Sequence, residues 1–179
     1  MKKAVIIHGF QGSPEHGWKI WLASELEKRG FKATVPSMPT PNHPKMNEWV
    51  RTIENAVGCL EEDVLLVGHS LGCIAILRYL ECLKQGSVGS VVLVAGFVDD
   101  LGEKELSGFF EKPIDWKVIR KRARRFYVLQ SDNDPYVPVR HGHDIAENLG
   151  AKMAIKTMRH FSGDDDVNEL PAVLELLGL

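Results

Sequence analysis

Four short apolar runs, residues 4–7 (AVII), 64–67 (VLLV), 91–94 (VVLV) and 126–129 (FYVL), show no alternation of polar residues. A strand with one wet face alternates apolar and polar side chains. Runs of this kind belong instead to strands covered on both faces, as in a parallel sheet. The segments between them carry helical spacing: Trp18, Trp21, Leu22 and Leu26 before Gly30; Met46, Trp49, Val50, Ile53 and Val57 before Gly58; and residues 71–83 before Gly86. Each glycine stands where a helix would end, because glycine takes left-handed backbone at no steric cost. Residues 32–35 and 153–157 supply two further strands, and residues 167–177, with Leu170, Val173, Leu174 and Leu177 on one face, a closing helix. Strand followed by helix, repeated along the chain, predicts an α/β fold: a compact, mostly parallel central sheet with helices on both faces and right-handed crossovers.

The length of 179 residues suits one domain with its own core, and no repeat, low-complexity tract or linker divides residues 1–179. Pro36, Pro39, Pro41 and Pro44 form a stiff surface loop between a strand and a helix, the kind of loop that borders a site. Residues 102–116 are the least regular stretch and the candidate for a small cap or pocket wall. A net charge of -2 asks for no polyanion or membrane as partner. Arg120, Lys121, Arg122, Arg124 and Arg125 make one dense basic run, which in a net-acidic chain reads as a solvated face rather than a nucleic-acid surface. The apolar run after Lys3 is too short for the core of a signal peptide, and no run approaches the roughly 18 residues of a membrane span. Cys59, Cys73 and Cys82 form no CxxC pair and are odd in number, which fits a reducing, cytoplasmic setting better than a disulfide scaffold.

The chemistry is read from Gly68-His69-Ser70-Leu71-Gly72, set between a buried strand and a buried helix. A strand that turns sharply into a helix holds its corner residue in strained backbone, and only small flanking residues let the chains approach. Ser70 is then lifted above the strand ends as a nucleophile. The N-terminus of the following helix faces it, so the Leu71 N–H is placed to receive negative charge forming on a bound carbonyl. The bland alternative is a Gly-Ser-Gly turn without chemistry; the strand before it and the helix after it argue against that. His8-Gly9-Phe10-Gln11-Gly12-Ser13, just beyond the first strand, is placed to give a second oxyanion donor, the Phe10 N–H or alternatively that of Gln11. Its glycines do not have dinucleotide-fingerprint spacing.

A serine hydroxyl needs a base and an orienting acid. Ser131-Asp132-Asn133-Asp134-Pro135 follows the strand at 126–129, at the strand end where open α/β sheets bind ligands. Asp134 is the expected acid, Asp132 the runner-up, and Asp99 or Asp100 a third choice. Of seven histidines, His160 lies between the last strand and the last helix, on the same rim as Ser70 and Asp134, and is the expected base. His69 neighbours the nucleophile but is directed elsewhere, and His8 is expected to brace the oxyanion loop. His141 and His143, with Asp144, could suggest a metal; without a third ligand at sensible spacing they read as a solvated helix start. His16 and His43 have no motif around them. Among the aromatics, Phe10 and Phe161 lie close enough to the proposed site to line an acyl pocket together with Gln11.

These motifs, with the helix Trp18-Lys19-Ile20-Trp21-Leu22, the 36–44 loop followed by Trp49, Val137-Pro138 and His160-Phe161, resemble over nearly the whole length the small serine hydrolases of the YdeN and retinoblastoma-binding-protein-nine group, in the α/β-hydrolase superfamily. The resemblance implies a compact fold without a large lid domain, with Ser70 as nucleophile, Asp134 as acid and His160 as base. Where that group often has glycine before the histidine, this chain has Arg159. The expectation is a serine hydrolase, carboxylesterase-like, acting on small ester or amide substrates, without metal or organic cofactor. A binding protein on a hydrolase scaffold is the rival, since fold does not guarantee activity; an acyltransferase or peptidase would use the same triad.

Overall fold

The structure is a computed structural model that describes residues 2–60 and 63–179. In chain order its elements are β1 (Lys2–Ile7), α1 (Lys19–Glu27), β2 (Phe31–Thr34), α2 (Met46–Val57), β3 (Val64–His69), α3 (Leu71–Cys82), β4 (Val88–Val94), α4 (Trp116–Ile119), β5 (Ala123–Ser131), α5 (Arg140–Leu149), β6 (Lys152–Lys156) and α6 (Pro171–Leu177). Short 3-10 turns occupy Lys104–Phe109 and Gly163–Asp165. The described strands form one sheet in the order β2-β1-β3-β4-β5-β6, and all its pairings are parallel.

The unbroken apolar runs become the central strands because these have two covered faces. Every residue of β3 is buried, and successive apolar residues of the central strands go to opposite faces of the sheet. Val5, Ile7, Leu66, Val91, Leu93 and Val128 pack under α2, α3 and α5. Ala4, Ile6, Leu65, Val67, Val92 and Leu129 pack under α1 and α6. Helix α3 carries apolar residues all round and is buried from Leu71 to Leu80, which makes it a core element rather than an amphipathic one. The edge strands β2 and β6 are only partly covered. No helix among the described residues is long and apolar enough to cross a membrane.

The strand order reverses between β1 and β3: the chain leaves β1 outward to β2, then returns to the other side of β1. The loops leaving β1 and β3 diverge there and open a crevice at the carboxyl ends of the strands, the usual place for a ligand in an open α/β sheet. The loop from His8 and the corner at Ser70 both start at this point.

Two elements differ from expectation. The closing helix starts at Pro171, not at residue 167. Proline at the first helical position has no N–H to lose, and it pushes the residue before it out of helical backbone, so Leu170 sits at φ -138. Val167 and Leu170 still reach the core, as extended chain. Strand β5 begins at Ala123, because pairing with Val88 and Ser90 of β4 carries the ladder back into the basic run. Arg120, Lys121, Arg124 and Arg125 are all exposed.

Candidate active site

The corner between β3 and α3 is built by exclusion. A methyl group on Gly68 would lie 2.8 Å from the Cα and N of Cys73, and one on Gly72 would lie 2.5 Å from the Ile7 carbonyl oxygen and 2.8 Å from that of His8. Only glycine lets α3 start this close to β1 and β3. The residue between them, Ser70, takes φ 54 and ψ -121, a conformation costly for any residue with a side chain. Its N–H donates to the Val94 carbonyl at 2.9 Å, so the strain is held by the sheet itself.

Three side chains meet above this corner. His160 Nε2 lies 3.0 Å from Ser70 Oγ, and His160 Nδ1 lies 2.8 Å from Asp134 Oδ2. The Asp134 side chain is fully buried, and its other oxygen, Oδ1, accepts the N–H groups of Tyr136 (2.9 Å) and Val137 (3.0 Å). With the carboxylate fixed on one side by backbone, Oδ2 can only accept from Nδ1–H. That choice of tautomer leaves the Nε2 lone pair facing the serine hydroxyl. The arrangement can take a proton from Ser70 as its oxygen becomes a nucleophile.

Asp132 is exposed and meets the end of β6 through its backbone N–H, bonded to Lys156 O. Asp99 and Asp100 cap their own turn through the N–H groups of Leu101 and Gly102.

The two loops that carry acid and base are clasped together by residues to which the sequence reading gave no role. Ser131 Oγ donates to Asn133 Oδ1 and accepts from Met158 N–H; Asn133 Oδ1 also accepts from Arg159 N–H at 2.7 Å. On the far side Asp165 accepts from the His160 N–H (3.0 Å), from Ser162 Oγ (2.9 Å) and from Arg159 Nε (2.8 Å). Burial pushes the Asp165 carboxyl up, but these hydrogen bonds outweigh it and hold it below the usual aspartate range. They also support left-handed backbone at Arg159 and Phe161 on either side of His160. The serine three residues before Asp165 is a capping signal that was legible in the sequence. Arg159 is therefore a strut for the histidine loop.

The first loop packs directly on the nucleophile: a Cβ on Gly9 would come within 2.9 Å of Ser70 Cβ. His8 ties this loop to the proline-rich one. Its Nδ1 bonds the Gly9 carbonyl (2.9 Å), and its Nε2 accepts the N–H of Met38 (3.1 Å). Burial lowers its pKa, which suits a neutral imidazole donating at one nitrogen and accepting at the other. The Gln11 N–H is committed to Pro41 O at 2.9 Å, which removes Gln11 as an oxyanion donor and leaves Phe10. The Leu71 N–H, in the first turn of α3, has no intrahelical acceptor. His69 bonds the His160 carbonyl through Nε2 at 2.8 Å; burial first, then the charges of Lys19 and His160, hold its pKa well below the ordinary 6.5.

A cavity of about 650 Å³ opens over Ser70 and His160. Phe10 and Gln11 line it. Phe161 does not: it is completely buried in the core under α1 and α6, where its carbonyl accepts the Trp18 indole N–H, so the acyl-pocket expectation for Phe161 is corrected. Phe97, Leu101, Leu106 and Val137 supply apolar wall instead. Leu106 comes from the irregular 102–116 stretch, which is pinned to α3 by the buried guanidinium of Arg78, bonded to the carbonyls of Phe109 (2.8 Å) and Lys112 (2.6 Å). His141 is also corrected: it is fully buried at the start of α5, where its Nδ1 meets the Val98 N–H, rather than solvated. Among the described residues no cluster of three or more His, Cys, Asp or Glu is placed to hold a metal ion.

The chain is 34% identical to YdeN of Bacillus subtilis (strain 168) over 179 residues, covering 98% of this chain and 94% of that one. It is 31% identical to serine hydrolase RBBP9 of Rattus norvegicus, over 97% of this chain and 94% of that protein. The crystal structure of the B. subtilis YdeN product superposes with a TM-score of 0.94 at 33% identity, over 99% of this chain and 97% of that one. Est1E of Butyrivibrio proteoclasticus, seen with ferulic acid bound, shares the fold alone: TM-score 0.76 at 13% identity, over 100% of this chain and 90% of that one. The family model described as serine hydrolase matches residues 4–178, and with it this chain belongs to the serine hydrolase family.

Proposed function

We propose that this protein hydrolyses small carboxylic esters through an acyl-enzyme on Ser70. The observation that carries this reading is the unbroken hydrogen-bonded line from Asp134 through His160 to a serine held in strained backbone at the mouth of a cavity. His160 Nε2 takes the hydroxyl proton as Ser70 Oγ bonds to the ester carbonyl carbon, and the carbonyl π electrons move onto oxygen. The N–H groups of Leu71 and Phe10 receive that oxyanion. Collapse breaks the bond to the leaving oxygen, which takes the proton from His160. Water then repeats the sequence: His160 removes its proton, the hydroxide oxygen bonds to the acyl carbon, and Ser70 leaves with the proton returned to it. Asp134 holds the tautomer and stabilises the imidazolium throughout.

A cavity of about 650 Å³ is within the usual range for small-molecule sites, which supports short acyl chains. The test is labelling with a fluorophosphonate, alongside kcat/KM for p-nitrophenyl esters of increasing acyl length. The parent is expected to label and to hydrolyse short esters best; Ser70→Ala is expected to lose labelling and at least about 10³-fold in turnover. Equal labelling and turnover in Ser70→Ala would refute the nucleophile, and a steady rise to long fatty acyl chains would refute the small pocket.

A further inference from the structure

The cavity has two unlike walls. Phe97, Leu106 and Val137 belong to the core under α2, α3 and α5 and make one side apolar. The opposite side is made by His16, Lys19 and Ser162, next to Trp18 and Phe161 of the other core. Lys19 is the unusual member. It is only 1% exposed, although an ammonium group is almost never buried without a charge partner. Its Nζ donates to the His16 carbonyl at 2.8 Å and lies 5.3 Å from the Trp18 ring centroid. Among the described residues no carboxylate lies within 4 Å of it. One of its three donors meets that neutral carbonyl, and among the described residues the other two have no protein acceptor and none of the three has an anion beside it.

The acidic groups on this cavity are otherwise engaged. Asp165 is committed to Arg159, Ser162 and the His160 N–H. Asp164 is 87% exposed and directed to His16 at 3.5 Å. Glu103 is exposed and belongs to the stretch that forms the opposite wall. The Lys19 wall continues directly from the histidine loop, and His160 is the group that hands a proton to the departing oxygen. The leaving group therefore faces the Lys19 side, and the acyl group the apolar side.

We propose that Lys19 forms a subsite for a carboxylate-class anion carried on the leaving-group part of the ester, so that esters of acidic alcohols and phenols are the favoured substrates. The proposal rests on the hydrolase reading above. Burial brings the Lys19 pKa down to about 8, against the opposing pull of Asp164. The subsite is thus charged below about pH 8 and loses its charge above it. His8, His16, His69 and His160 also face this region, but they remain when Lys19 is replaced and so are common to the parent and the variant.

The experiment compares kcat/KM for 3-carboxyphenyl acetate with that for phenyl acetate, as a ratio within each variant, so that general effects on turnover cancel. The parent is expected to favour the anionic ester, with the ratio falling as pH rises through about 8. Lys19→Met is expected to lower the ratio by about ten- to a hundredfold and to flatten its pH dependence, the worth of one charge-assisted hydrogen bond. Lys19→Arg, which keeps the charge, should retain the larger part of the preference. A ratio in Lys19→Met equal to that of the parent, or a preference seen only when the carboxylate is on the acyl side (mono-p-nitrophenyl succinate against p-nitrophenyl butyrate), overturns the proposal. Calorimetric binding of 3-hydroxybenzoate to Ser70→Ala, with and without Lys19→Met, needs no turnover. Inert esters with Lys19-dependent binding would sink the reaction and keep the subsite. Active esters with Lys19-independent ratios and binding would do the reverse.

Discussion

Replacing Gly72 with alanine sets two effects of opposite sign against each other, and the geometry decides between them. Alanine in place of glycine inside a helix is worth up to about 1 kcal/mol in backbone entropy. The added methyl, however, would stand 2.5 Å from the Ile7 carbonyl oxygen, about 0.9 Å short of the 3.4 Å at which ordinary contact begins, with the His8 oxygen at 2.8 Å and the Ile7 carbon at 3.0 Å. All three obstacles are backbone. Ile7 pairs with Gly68 in the middle of the sheet, so it cannot swing aside as the end of a side chain could. Overpacking in a tight core costs about 1–3 kcal/mol when side chains can adjust, and more when they cannot. The net expectation is a loss of at least about 2 kcal/mol, or roughly 4–8 °C in Tm for a chain of this size. Urea unfolding followed by circular dichroism measures it as a lower midpoint with unchanged slope. Gly108→Ala is the control, because nothing lies within 4 Å of its methyl position. A Gly72→Ala midpoint equal to or above the parent's would refute the steric account of the corner. Turnover should fall as well, since the same carbonyls position His8 and the loop that packs on Ser70.

Asp134→Asn should cut kcat by about 10⁴-fold while Asp132→Asn changes it little, because Oδ1 of residue 134 must keep accepting from Tyr136 and Val137. The amide NH₂ then faces His160 Nδ1 and forces the proton to Nε2; comparable losses at both positions would move the acid elsewhere. Stability should fall as pH drops below about 6.5, because burial depresses the pKa values of His8, His69 and His141. Below 6.5 the unfolded chain binds protons that the folded one does not, so the loss starts at the unfolded value and grows until the folded values are passed. Urea midpoints at pH 8, 7, 6 and 5 check this, and a flat profile would contradict it.

Local rules in the sequence determined the sheet and its sharpest corner. Unbroken runs such as 64–67 must be covered on both faces, Gly68 and Gly72 leave room where no side chain fits, and Pro171 cannot sit inside a helix. Each of these follows from the sterics or solvation of a few neighbouring residues, and so it can be read without knowing the rest of the chain. The separation of Ser70, Asp134 and His160 in sequence is no obstacle, because strand order carries each to the same edge. What only the tertiary structure decided lies in the loops. Phe161 and His141 look like site or surface residues by position, yet left-handed backbone at residue 161 and packing at the start of α5 turn both inward. Asn133, Asp165 and Arg78 look like ordinary polar residues, and they became struts because loops distant in sequence brought unpaired N–H and carbonyl groups beside them. Lys19, at the start of an ordinary helix, acquires its place on the cavity only because the tertiary fold sets it in the same lining as Ser70 and His160. Hydrogen-bond demand and burial of this kind belong to surfaces made by several segments at once, and no single stretch of sequence encodes them.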